Sequence, residues 1–101
     1  MIADVRLNKS WQEVYDEKGK RIKDFSIAVF GEYCGHSECF IVFLKGSWYT
    51  VYDETGKKIR DYSTNSYGEF RNMSGENILF QKGSYVTTYD KTGKKLGERH
   101  V

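Results

Sequence analysis

Apolar and polar positions alternate along this chain in short bursts, and the bursts return every 37 residues. From Phe40 to Leu44 the run is apolar on both parities, as in a strand covered on both faces. Lys45-Gly46-Ser47 interrupts it as a tight turn. Trp48 to Tyr52 then places Trp48, Thr50 and Tyr52 on one side and Val51 on the other. Asp53-Glu54-Thr55-Gly56 has the chemistry of a short hairpin turn, with Asp accepting hydrogen bonds from the turn backbone and Gly taking the left-handed position. Lys57 to Tyr62 is the returning strand. A further strand, around Ile27 to Tyr33 in one copy and Tyr67 to Met73 in the next, links one meander to the following one.

The same pattern reads WQEVYDEKGKRIKDF from Trp11, WYTVYDETGKKIRDY from Trp48 and YVTTYDKTGKKLGER from Tyr85. Upstream, FIVFLKGS answers NILFQKGS; between copies, Phe30-Gly31-Glu32-Tyr33 answers Tyr67-Gly68-Glu69-Phe70. Before Trp11 there is only Ile2 to Asn8, so the first copy lacks the linking strand. The expected count is three plus four plus four antiparallel strands, all in one domain over residues 1–101, with repeats over 1–26 (partial), 27–63 and 64–101. A single meander cannot bury two apolar faces alone, so neighbouring repeats must pack on one another, with Tyr15, Tyr52 and Tyr89 expected between them.

Composition sharpens the class. The chain has 101 residues, no proline, ten glycines and 16% aromatics, mostly Tyr and Phe, which suit half-buried strand surfaces. Sixteen basic and fourteen acidic residues leave a net charge of +2, too balanced to point to nucleic acid. No apolar run has the length of a membrane span and the first residues do not form a signal peptide, so the expectation is a cytoplasmic protein. Two cysteines fit a reducing compartment better than a disulfide scaffold.

The turns Tyr52-Asp53-Glu54-Thr55-Gly56-Lys57 and Tyr89-Asp90-Lys91-Thr92-Gly93-Lys94, each between two short strands, resemble those of WD-type and quinoprotein-type β-propeller blades. The resemblance covers nearly the whole chain and implies an all-β, half-propeller-like stack of about three blades. Propellers close with at least four blades, so the stack is open or is completed by a second copy. A β-trefoil is the alternative fold.

Candidate chemistry is sparse. Cys34-Gly35-His36-Ser37-Glu38-Cys39 is the least repeat-like stretch, yet a structural zinc site takes four ligands and Glu38 is a poor fourth. Free thiols are favoured there over a disulfide or a metal, and no metal or cofactor is expected. Trp11, Trp48 and Tyr85 recur at equivalent positions, which reads as core packing rather than as sugar-stacking platforms. Lys20-Arg21, Lys57-Lys58 and Lys94-Lys95 follow equivalent turns and read as a solvated edge. No nucleophile elbow, phosphate loop or zinc-protease helix is present, and no enzyme is expected.

The function expected by elimination is protein binding, with Tyr33, His36, Glu38, Tyr67 and Arg71, on or beside the linking strands where the copies differ most, as the partner-contacting residues. In size and class the chain is similar to small bacterial immunity proteins, cytoplasmic inhibitors that cover the active site of a cognate toxin. A lectin-like repeat protein and an RNA-binding module using the Lys/Arg edge are the alternatives, and oligomerisation is left open.

Overall fold

The structure, a computed structural model, describes residues 1–100. It is all-β: eleven short strands in three antiparallel sheets. Sheet 1 holds β1 (Asp4–Asn8), β2 (Trp11–Tyr15) and β3 (Arg21–Ser26). After a single helical turn, α1 (Ile27–Phe30), sheet 2 holds β4 (Glu32–His36), β5 (Phe40–Lys45), β6 (Trp48–Asp53) and β7 (Lys58–Ser63). A second turn, α2 (Thr64–Tyr67), leads to sheet 3 with β8 (Glu69–Ser74), β9 (Asn77–Lys82), β10 (Tyr85–Tyr89) and β11 (Lys95–His100). Every strand pairs with its chain neighbour, so each sheet is a plain meander with no crossover. Three separate sheets set the trefoil alternative aside.

The linking segments begin differently from the expectation. Ile27–Phe30 and Thr64–Tyr67 are helical turns closed by Gly31 N–H to Ile27 O and Gly68 N–H to Thr64 O, both at 2.9 Å, and extended backbone starts only after the glycine. The reason is local. Gly31 and Gly68 have φ of +99° and +91°, and a Cβ on either would run into the carbonyl of Leu44 or Gln81 on the adjacent strand. Only glycine lets the chain turn that closely onto the sheet.

Between the sheets lie two cores. Val14 and Phe25 of sheet 1 meet Ile41 and Phe43 of sheet 2, with Ile2 and the flanking rings of Phe30, Tyr33 and Tyr52. On the opposite face of sheet 2, Phe40, Val42, Tyr49, Val51 and Tyr62 meet Met73, Ile78 and Phe80 of sheet 3. Phe40 through Phe43 are all buried, which accounts for the unbroken apolar run in β5: the central sheet is covered on both sides. Tyr52 sits 5.7 Å from Phe25 and Tyr89 sits 6.3 Å from Tyr62, so both tyrosines wedge against the preceding repeat. Tyr15 does not. Among the described residues no sheet packs on that face of sheet 1, and the Tyr15 ring lies under the Arg6 guanidinium at 4.8 Å with its hydroxyl donating to Glu13 at 2.7 Å.

The hairpin turns follow their sequence. Asp16, Asp53 and Asp90 each accept two backbone N–H bonds on Oδ1, at 2.9–3.0 Å, and Gly19, Gly56 and Gly93 have φ between +80° and +89°. The register slips by one residue beside each turn, as a type I turn with a bulge requires.

Candidate partner-binding surface

The clearest surface feature is a row of aromatic side chains that the core does not use. Trp11, Trp48 and Tyr85 are 49%, 52% and 49% exposed, contrary to the core role expected from their recurrence. Each is the first residue of the middle strand, immediately after a two-residue turn, at the end of the sheet where inter-sheet packing stops. Gln12 and Val14, Tyr49 and Val51, and Val86 are buried on the opposite parity of these strands, and Thr87 is buried on the parity of Tyr85.

Polar groups frame each ring through strand pairing. Asn8 and Ser26 stand opposite Trp11, Lys45 and Ser63 opposite Trp48, and Lys82 and His100 opposite Tyr85. At the sheet 1 end the row opens into a depression of about 250 Å³ lined by Asn8, Lys9, Trp11, Glu13, Arg21 and Asp24. Glu13 is fixed there by the Tyr15 hydroxyl at 2.7 Å, Arg21 at 3.1 Å and Asn8 at 3.2 Å; these bonds, led by the tyrosine, hold its carboxyl below the usual range. One member of each basic pair on the Lys/Arg edge is neutralised by a neighbouring acid. Arg21, Lys58 and Lys95 each pair with the acid three residues on, Asp24, Asp61 and Glu98, at 3.7, 3.1 and 3.6 Å. Exposed pairs of this kind add little stability, but they turn a charge ridge into alternating dipoles.

The five linking-strand residues differ in how far they reach the surface. Tyr33 and His36 come together on β4, hydroxyl to Nδ1 at 2.7 Å with the rings stacked. Burial raises the Tyr33 hydroxyl pKa. Glu38 is exposed in the following loop, where its carbonyl accepts the Ile2 N–H at 2.7 Å. Arg71 is exposed on β8 and donates to Gln81 at 2.8 Å. Tyr67 turns inward: half-buried in α2, it packs edge-on against Tyr62 at 4.8 Å and Tyr89 at 5.0 Å. Its position at a linking segment was legible in the sequence, but the inward direction followed from the unforeseen helical turn.

Cys34 and Cys39 are free thiols. Burial pushes the Cys34 thiol up to about 11 and raises Cys39 as well, which keeps both protonated and weakly nucleophilic. Among the described residues no three His, Cys, Asp or Glu side chains cluster as metal ligands, and no helix is long and apolar enough to cross a membrane. Comparison with protein-family models, curated proteins and solved structures finds no match.

Proposed function

We propose that this chain is a non-catalytic protein-binding module, a half-propeller-like stack that serves as the immunity partner of a bacterial toxin and acts by covering the toxin's active site. The observation that supports this reading is the set Trp11, Trp48 and Tyr85: three large, half-exposed rings at equivalent strand positions of the three sheets, framed by lysine, serine and asparagine. Trp and Tyr supply the largest share of interface hot spots, and side chains held on strands lose little further freedom on docking. Inhibition by coverage needs no chemistry from the module, and the inert thiols fit a scaffold role.

The test is co-production with the product of the adjacent gene. Rescue of growth and a stoichiometric complex are expected, with Trp48→Ala and Tyr85→Ala weakening the complex by about tenfold or more each while the thermal midpoint stays within a degree or two. Absence of rescue, or undiminished binding by the double variant, overturns the reading. The depression beside Trp11 favours one second reading. Its two cations and two carboxylates balance, and an aromatic floor with fixed donors and acceptors suits a neutral sugar ring. Glycan-array binding without any protein complex would select it.

A further inference from the structure

A sheet edge left open in the first repeat points to how a partner docks. In sheets 2 and 3 the linking strand pairs along the next strand, β4 on β5 and β8 on β9. Aligned by the repeat, β1 occupies the place of β5 and β9, with Asp4, Arg6 and Leu7 at the positions of Ile41, Phe43 and Leu44. Among the described residues β1 pairs with β2 alone, so the edge that β5 and β9 give to a linking strand is free from Asp4 to Asn8.

That edge is also the one without a bulge. Six strands are sheet edges among the described residues, and five of them pair through a register slip: β3, β4, β7, β8 and β11. Such bulges, with edge charges, are how native sheets discourage further pairing. β1 alone runs through five uninterrupted pairs, and it exposes Leu7 to 64%. A second gap adjoins it. In sheet 3, Phe70 lies over Gly35 of the preceding linking strand, so closely that a Cβ there would stand 2.9 Å from the ring. Tyr33 is the counterpart of Phe70, and among the described residues sheet 1 has no linking strand for it to lie over.

We propose that β1 accepts an extended strand from the partner protein, antiparallel and with a small residue beneath Tyr33, completing sheet 1 to four strands as β4 and β8 complete theirs. This rests on the protein-binding reading, and the occupant is defined by the chain's own two examples of what fills that place. Main-chain bonds supply affinity and the apolar Val5–Leu7 face supplies register. The probe is a synthetic peptide of the sequence of residues 31–38, which carries Gly35 as that small residue, with a second peptide carrying proline at the position of Gly35, each added at millimolar concentration to isotopically labelled protein. Amide exchange along β1 is expected to slow by about tenfold with the first peptide and not with the second, and Leu7→Lys is expected to weaken the effect without moving the melting midpoint. No slowing, equal slowing by the proline peptide, or slowing at β3 or β11 instead overturns the proposal. So does β1 protection that grows with protein concentration alone, which identifies the occupant as a second copy. Toxin neutralisation that persists when the peptides fail leaves the binding-module reading standing with another docking mode; peptide pairing without neutralisation does the reverse.

Discussion

At Asp53 one carboxylate oxygen takes three hydrogen bonds: from the Thr55 N–H at 3.0 Å, the Lys57 N–H at 2.9 Å and the Thr55 hydroxyl at 2.7 Å. Partial burial opposes its charge, and the three donors outweigh that, so its pKa lies below the ordinary value. Asp90, led by the Thr92 hydroxyl, and Asp16, led by the Lys20 N–H, are lowered as well. A carboxyl whose folded pKa is depressed adds stability that is present above the unfolded value, about 4, and is lost as pH falls through the folded one. Acid titration followed by circular dichroism is therefore expected to show stability declining below about pH 4, and Asp53→Asn is expected to flatten that decline while leaving the other two turns in place. An unchanged acid limb would assign the loss to other groups. These turn residues were legible in the sequence because the chemistry is local: an acceptor, two donors and a glycine within five positions. The exposure of Trp48 was not, because parity identifies a face and says nothing about how far along the strand the neighbouring sheet reaches.

Between elements, a second set of glycines does work that spacing alone does not reveal. Lys23 of sheet 1 lays its stem across the next repeat's turn, where a Cβ on Gly56 would come within 2.7 Å of its Cε. One repeat on, the Arg60 guanidinium lies against Gly93 and 5.7 Å from the Tyr62 ring centre. Gly97 holds the equivalent place in sheet 3, with no side chain to reach forward. Gly19, in the first repeat's turn, has the same backbone twist and nothing within 4 Å. The pair separates backbone strain from contact between repeats. Gly19→Ala is expected to cost about 1 kcal/mol from its positive φ alone. Gly93→Ala is expected to cost several tenths of a kcal/mol more (roughly, by loss of the Arg60 seat), and an Arg60→Ala background should remove the excess. Equal costs in urea denaturation would mean that Arg60 swings away freely and fastens nothing. Gly31 and Gly68 belong to the same scale. Their place in the repeat was plain, yet the helical turns before them escaped a strand-period reading because a four-residue turn is too short to show a helical period.

Across the whole molecule, the same column of the repeat changes character from one sheet to the next, and the change leaves the two outer faces of the described stack more polar. Ile41 and Phe43 in sheet 2 and Ile78 and Phe80 in sheet 3 face a preceding sheet, whereas Asp4 and Arg6 hold those places in sheet 1. In the other direction Phe25 and Tyr62 are buried against the next sheet, and their counterpart Arg99 is exposed. Polar outer faces on terminal repeats are the usual condition for a stack to remain soluble. The expectation that Tyr15, Tyr52 and Tyr89 serve alike overlooked this column, although the charges opposite Tyr15 were in view. Position in the stack, not residue type, should therefore set the energetic weight of each tyrosine. Tyr52→Ala removes a ring that touches Phe25, Phe30 and Phe43 across the first inter-sheet core and is expected to destabilise by about 3 kcal/mol. Tyr15→Ala removes a ring with no preceding sheet against it and is expected to cost about 1 kcal/mol or less. Both are read from chemical denaturation with matched slopes. Similar losses at the two sites would mean that the free face of sheet 1 is covered in solution, and would turn attention to a second copy or a partner seated on Asp4, Arg6 and Glu13.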